Sequence, residues 1–216
     1  MQLPFEPRRD IRHAFTTPIG SFEVPGAAEL MPKIAEVVLA KEAAESGMRR
    51  SNKGGWHSDE QLLHWPELQF ADLADTFRSA VFHMTAATSG QVRFQMDAVL
   101  TAWANVNRAG SNNNPHVHPL NHWSGVLYVQ TADFSADPIR EAGNIEFLDP
   151  RGPICMLSIP GQMTTLSLQP RQGTILIFPA WLTHWVNTFS VDAVRISIAF
   201  NSYIRRFKPM QASSAE

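Results

Sequence analysis

From Val92 onward the chain alternates. Val92, Phe94, Met96, Ala98, Leu100, Ala102, Ala104 and Val106 fall on one face, and Arg93, Gln95, Asp97, Val99, Thr101, Trp103, Asn105 and Asn107 on the other. Successive strand side chains point to opposite faces, so the run predicts one long bent strand or two in succession. Shorter strand-like runs follow: SGVLYVQ, with Ser124, Val126 and Tyr128 sharing a face, then GNIEFLDPRG, MTTLSLQ, TILIFPAW and VRISIAFNSYI, in which Arg195, Ser197 and Ala199 oppose Ile196, Ile198 and Phe200. Asp149-Pro150 and the turn from Pro170 to Gly173 separate some of them. Seven or so short strands between turns predict a mainly β fold, an antiparallel sandwich or barrel.

The apolar face of that sheet needs a cover, and the first 90 residues offer one. Between about Ala27 and Ser46, Leu30, Ile34, Val37 and Val38 recur at helical spacing, with Gly47 placed to end the helix and Pro32 marking the start of its regular part. Lys33, Glu36, Lys41, Glu42 and Glu45 form its wet side. A second stripe, Phe70, Leu73, Phe77, Val81 and Met84, runs to Gly90, with His83 beside it as a surface or packing residue. Before the first helix, Pro4, Pro7, Pro18 and Pro25 predict an extended opening with a strand near Ile19 to Val24. Residues 48–66, which hold Trp56, His57, His64 and Trp65 without a period, read as a loop, either a lid over a substrate or a connection pinned by its tryptophans. The division is therefore 1–90, an extended segment and helices packing on the barrel, and 91–210, the β core, as one structural domain. The helical stripes serve either the sheet or a second subunit, which leaves a homo-oligomer open.

Charge narrows the partners. A net charge of −2 and a pI near 6.4 give no electrostatic reason to expect nucleic acid. The basic groups Arg8, Arg9 and Arg12, and Arg205, Arg206 and Lys208, sit near the ends, as solvated residues. Cys155 is the single cysteine, so no disulfide forms within the chain and a thiol-rich zinc site is excluded. The start, MQLPFEPRRDIRHAF, lacks the order of a secretory signal, and no apolar run approaches a membrane span. The expectation is a cytoplasmic protein with no membrane partner and a frayed tail, QASSAE.

Histidines gather in NNNPHVHPLNHWSGVLY, where His116 and His118 stand two apart. In an extended segment both project to one side, and Pro115 and Pro119 favour extension in the residues before them. Imidazole suits iron, zinc, copper and nickel. Two imidazoles need at least one more ligand, and His184, after the apolar run of GTILIFPAW, is the downstream candidate. The plain alternative is a set of solvated loop histidines.

In order along the chain, Trp103-Ala-Asn105, His116-Val-His118, Ser124 to Val129, Asp149 to Arg151, Phe178 to His184 and Arg195 to Asn201 resemble the iron(II) and 2-oxoglutarate dependent oxygenases, in particular a bacterial and phage branch with HxH in place of HxD. The resemblance is dense in the C-terminal half and loose in the helical half. It implies a double-stranded β-helix, a cupin-like jelly roll with two N-terminal helices packed on one sheet. It implies iron(II) held by His116, His118 and His184, with 2-oxoglutarate and O2 as cosubstrates and hydroxylation as the outcome. Arg195, eleven positions after His184, matches the basic residue that holds the far carboxylate of 2-oxoglutarate, and a guanidinium suits a carboxylate bidentately. Ser197 shares its face, and Tyr128 and Asn105 are further candidates for contacting the cosubstrate. Trp103, Asn107, Trp123, Trp181 and Trp185 are candidates for shaping the mouth.

Position 118 departs from the wider pattern, which has a carboxylate there. With a carboxylate, iron(II) and dianionic 2-oxoglutarate sum to one negative charge; with three neutral imidazoles they sum to zero. Three histidines with an open position are equally a catalytic zinc set. Should His118 not ligate, His122 or solvent takes its place. Two other readings stay open: a three-histidine dioxygenase of cupin type that does not use 2-oxoglutarate, and a non-catalytic jelly-roll binding module. The substrate, a small molecule or a protein side chain, is not named by the sequence.

Overall fold

The long alternation folds as one strand of 14 residues, Phe94–Asn107, one step later than Val92, which is 87% exposed. The computed structural model describes residues 6–11, 13–151, 157 and 159–210; Arg12, Cys155, the side chain of Arg9 and the QASSAE tail lie outside the described residues. In chain order the elements are α1 (Pro7–Asp10), β1 (Gly20–Glu23), α2 (Ala27–Ala44), β2 (Asn52–Lys53), β3 (Trp56–His57), two 3-10 helices (Leu62–His64 and Pro66–Ala71), α3 (Leu73–Ser89), β4 (Phe94–Asn107), β5 (Asn112–His116), β6 (Trp123–Gln130), β7 (Ile145–Leu148), β8 (Thr165–Leu168), β9 (Thr174–Pro179), β10 (His184–Val186) and β11 (Arg195–Pro209).

Among the described residues two antiparallel sheets result, a six-stranded one in the order β1-β9-β6-β11-β4-β3 and a five-stranded one in the order β2-β5-β10-β7-β8. Neighbours in space are distant in sequence. β11 pairs with β4 on one side and β6 on the other, with Ser197 opposite both Asn105 and Tyr128. This is the crossing order of a double-stranded β-helix.

Each face of the larger sheet has its own cover. The outer face of the larger sheet, with Ala102, Ala104, Val106, Leu127, Ile177, Ile198 and Phe200, packs against Met31, Ile34 and Val38 of α2 and Phe77, Val81 and Met84 of α3. Both helical stripes are thus used by the sheet. Between the sheets lies a second apolar layer of Val126, Tyr128, Ile145, Phe147, Leu176, Phe178 and Leu182. Gly125 marks a close approach: a Cβ there would sit 2.4 Å from the Phe200 ring and 2.8 Å from the Leu176 carbonyl oxygen.

Several boundaries differ from the sequence reading. α2 starts at Ala27 rather than near Pro32, which is exposed within the helix, and it ends at Ala44. Met31 and Ala35 are buried where Leu30 and Val37 are only partly so. Gly47, at φ +70, does not cap the helix; a Cβ there would lie 2.6 Å from Trp56, whose Nε1–H donates to the Glu45 carbonyl at 2.9 Å. Phe70 falls on the second 3-10 helix and is 50% exposed, leaving Leu73 to open α3. The opening carries the short helix α1 in place of a wholly extended chain. Residues 48–66 form no free loop: β2 extends the smaller sheet through β5, and β3 extends the larger through β4. His83, Arg205, Arg206 and Lys208 are exposed as expected. Among the described residues, no helix is long and apolar enough to cross a membrane.

Candidate metal centre

Two strand ends and the turn after β9 bring the histidines together. His116 closes β5 and lies directly opposite His184, the first residue of β10. His118 is two residues past β5, not within a strand, and its N–H donates to the Ala180 carbonyl at 2.9 Å, so the turn between β9 and β10 fixes it. The candidate ligand atoms of His116, His118 and His184 all lie within 4.8 Å of one another. His122 is elsewhere: its Nδ1 accepts from the Ile204 N–H at 3.1 Å and its ring faces Tyr203.

Burial sets the protonation state. It is the main cause that lowers all three pKa values, to about 4 for His118 and about 3 for His184. All three rings are therefore neutral at pH 7, the form that binds metal. His116 donates Nδ1–H to the Asn114 carbonyl at 2.7 Å, and His184 donates Nδ1–H to the Leu182 carbonyl at 2.9 Å. Both hydrogen bonds leave Nε2 as the free lone pair.

Beside the cluster, a cavity of about 330 Å³ opens between the sheets. Alternation builds its wall: Arg195, Ser197, Ala199 and Asn201 line it from β11, Trp103 and Asn105 from β4, and Ser124 and Val126 from β6. Arg195 is 2% exposed, and its guanidinium lies 5.3 Å from the Tyr128 ring. It donates through NH1 to Ser197 Oγ at a long 3.5 Å, while its Nε, the Tyr128 hydroxyl and Asn105 Oδ1 are buried without hydrogen-bond partners among the described residues. Burial pushes the Tyr128 phenol up to about 12 and lowers the Arg195 pKa, because each charged form loses solvation. A guanidinium stays charged in proteins. Among the described residues no carboxylate pairs with it, so this pocket demands an anion, and a carboxylate accepting from Arg195, Ser197 and Tyr128 fits the demand. The donor set thus suits both a divalent metal and a carboxylate ligand.

Of the mouth candidates only Trp103 lines the cavity. Trp123 is buried on the helix side, with Nε1–H donating to Thr85 Oγ1 at 3.1 Å. Trp181 is 55% exposed, Trp185 donates to Asn187, and Asn107 is buried beside Gly55. The DPR run also lies apart: Arg151 clasps Asp149 through two hydrogen bonds of 3.0 and 2.7 Å, at the edge of a separate cavity under residues 13–19. The sequence reading missed Arg50, Ser51, His57 and Glu60 as lining residues. They come from the 48–66 segment, and His57, stacked on Trp103 at 5.6 Å, belongs to a strand too short to show a period. Asn201 was within reach, since the alternation from Arg195 continues to it.

Residues 101–201 match a family model described as "Putative 2OG-Fe(II) oxygenase". No curated protein matches the sequence. Among solved structures, the chain is similar to a prolyl-4-hydroxylase of Pseudomonas putida, with 14% identity over 91% of this chain and 95% of that one, at a TM-score of 0.58. It is similar to a Trichoplax adhaerens prolyl hydroxylase in complex with a hypoxia inducible factor oxygen degradation domain peptide fragment, with 9% identity over 86% and 83%, at 0.60. A third is HygX of Streptomyces hygroscopicus with nickel and 2-oxoglutarate bound, with 13% identity over 93% and 88%, at 0.58. At such identities these three likenesses establish the fold, a double-stranded β-helix. The family match covers the stretch from within β4 to Asn201 that builds this site, so over these residues the chain is similar to the 2OG-Fe(II) oxygenases.

Proposed function

We propose that the chain is an oxygenase that couples oxidative decarboxylation of 2-oxoglutarate to hydroxylation of a substrate, with residues 91–210 as its core and 1–90 as the cover of one domain. The observation that carries it is the buried guanidinium of Arg195, without a carboxylate partner among the described residues, in the same cavity as three neutral imidazoles. His116, His118 and His184 would hold iron(II), and Arg195, Ser197 and Tyr128 would hold the far carboxylate of 2-oxoglutarate, with Asn105 as a further polar contact. When bound, iron with 2-oxoglutarate supplies the activation of O2 that C–H hydroxylation requires. The chain's own part is to fix both groups, keep the imidazoles unprotonated and shut water from the inner end, where Val126, Ile145, Phe178 and Val186 line the cavity. The outer wall, with Arg50, Ser51, Glu60 and Asn113, faces the substrate. A cavity of about 330 Å³ shared with 2-oxoglutarate suits a small molecule or one inserted protein side chain. The peptide in the Trichoplax enzyme is a precedent for the second. The single cysteine suits a reducing cytoplasm.

Thermal denaturation tests the assignment, because a ligand that binds only the folded state raises the midpoint. Cobalt(II) should raise it, and 2-oxoglutarate should raise it further only when metal is present. Arg195→Ala should keep the metal increment and lose the second one; His184→Ala should lose both. A 2-oxoglutarate increment that survives in His184→Ala contradicts the proposal.

A further inference from the structure

Two of the three imidazoles are held alike, and the third is not. His116 and His184 each donate Nδ1–H to the backbone carbonyl two residues earlier, at 2.7 and 2.9 Å. A carbonyl only accepts, so both rings carry their proton on Nδ1 and turn an Nε2 lone pair to the centre. For His118 the neighbour of Nδ1 is the side-chain amide of Asn201, with Nδ2 at 3.4 Å. The two orientations of that amide have opposite consequences. With Nδ2 towards the ring, Nδ1 must accept, the proton moves to Nε2, and Nε2 has no lone pair for a metal. Asn201 Oδ1 is then buried without a partner. With the amide turned by half a turn about χ2, Oδ1 accepts from Nδ1–H, the orphaned oxygen is satisfied, and Nε2 of His118 is free.

We infer that Asn201, with Oδ1 accepting from His118 Nδ1–H, is the positioning residue that selects the metal-binding tautomer of His118. The inference rests on the metal-site reading above and extends it to the one position where the chain departs from a carboxylate ligand. A carboxylate has two equivalent oxygens and needs no such selection. An imidazole does, and neutral imidazole in water prefers the Nε2–H form, the wrong one for this geometry. The chain holds the selecting group rigidly: β11 lies between β6 and β4, and Asn201 pairs with Ser124 on one and Thr101 on the other. Trp103, 5.7 Å from the His118 ring, limits its rotation.

Long-range proton–nitrogen correlation spectra of the full metal-free chain at neutral pH read each tautomer, and cobalt(II) titration reads the site's affinity. The native chain and Asn201→Asp, which keeps an acceptor, should show His118 as Nδ1–H. In Asn201→Leu, His118 should turn mainly Nε2–H and cobalt should bind about 10–100-fold more weakly, while the His116 and His184 signals stay in place and report an intact fold. Nε2–H at His118 in the native chain overturns the inference, and so does an Asn201→Leu chain that keeps both tautomer and affinity. A native chain that binds no cobalt sinks the metal-site reading instead, and the tautomer spectra then decide the role of Asn201 alone.

Discussion

Arg195 is a full charge at 2% exposure whose Nε has no partner and which has no carboxylate partner among the described residues, and a buried ion without a counter-charge costs several kcal/mol. Replacing it with a flexible apolar residue of similar length should remove that cost together with the anion site. Arg195→Met is expected to stabilise the ligand-free chain by on the order of 1 kcal/mol in urea unfolding while weakening 2-oxoglutarate at least about tenfold; lower stability with unchanged affinity contradicts the assignment. The imidazoles give a pH dependence of definite sign. Their folded pKa values lie below the ordinary 6.5, about 4 for His118 and about 3 for His184, so the unfolded chain takes up protons first as the pH falls. Stability of the metal-free chain should be full above about pH 6.5 and decline towards pH 4. In His184→Gln the decline should be shallower over that window, as read by the urea midpoint. His116, His118 and His184 were readable as a group from the spacing of HVH and the downstream histidine, whereas Arg195 and Ser197 came through the resemblance, with alternation placing them on one face. His57 and Glu60 were not readable, since they reach the cavity through pairings that leave no local pattern.

At the scale of elements, helix and sheet meet through one column of contacts. Phe77 of α3 stacks on Phe200 of β11 at 4.2 Å, and Phe200 in turn fills the space that a side chain at position 125 of β6 would need. That is the physical content of the glycine in SGVLYV. Gly125→Ala should cost about 1–3 kcal/mol, measured by chemical denaturation, because the clash includes the Leu176 carbonyl oxygen as well as a ring. A neutral effect would mean that β6 and β9 shift apart freely. The β2–β3 connection is held by Asn52, whose Oδ1 accepts from the Arg50 N–H at 2.7 Å and whose Nδ2 donates to the Gly55 carbonyl at 2.7 Å and the Met48 carbonyl at 3.3 Å. Asn52→Ala should speed amide exchange across residues 48–58 by about tenfold, corresponding to about 1–2 kcal/mol of local opening; unchanged exchange would show that strand pairing alone holds the segment. The long strands and both helices were readable from their periods. β2, β3 and β10 were not, because two or three residues cannot display one and their partners are set by the assembled sheets.

For the molecule as a whole, the sheet order converts distance in sequence into proximity. β5 and β10 place His116 against His184, and β4, β6 and β11 lay Asn105, Tyr128 and Ser197 side by side. The helices cover the opposite face, leaving the space between the sheets for chemistry. The order of motifs therefore carried more of the architecture than any single motif, whereas the path of residues 48–66, tied into both sheets, depends on edges that exist only after folding. The central claim is that one cavity binds iron(II) and 2-oxoglutarate together. Anaerobic titration of 2-oxoglutarate into the iron(II)-loaded chain, followed by visible absorption, measures that directly. The account predicts a weak charge-transfer band that saturates in the native chain and requires at least about tenfold more 2-oxoglutarate in Arg195→Ala. Iron retained with no band at any 2-oxoglutarate concentration would contradict it and favour a three-histidine centre whose substrate binds the metal itself.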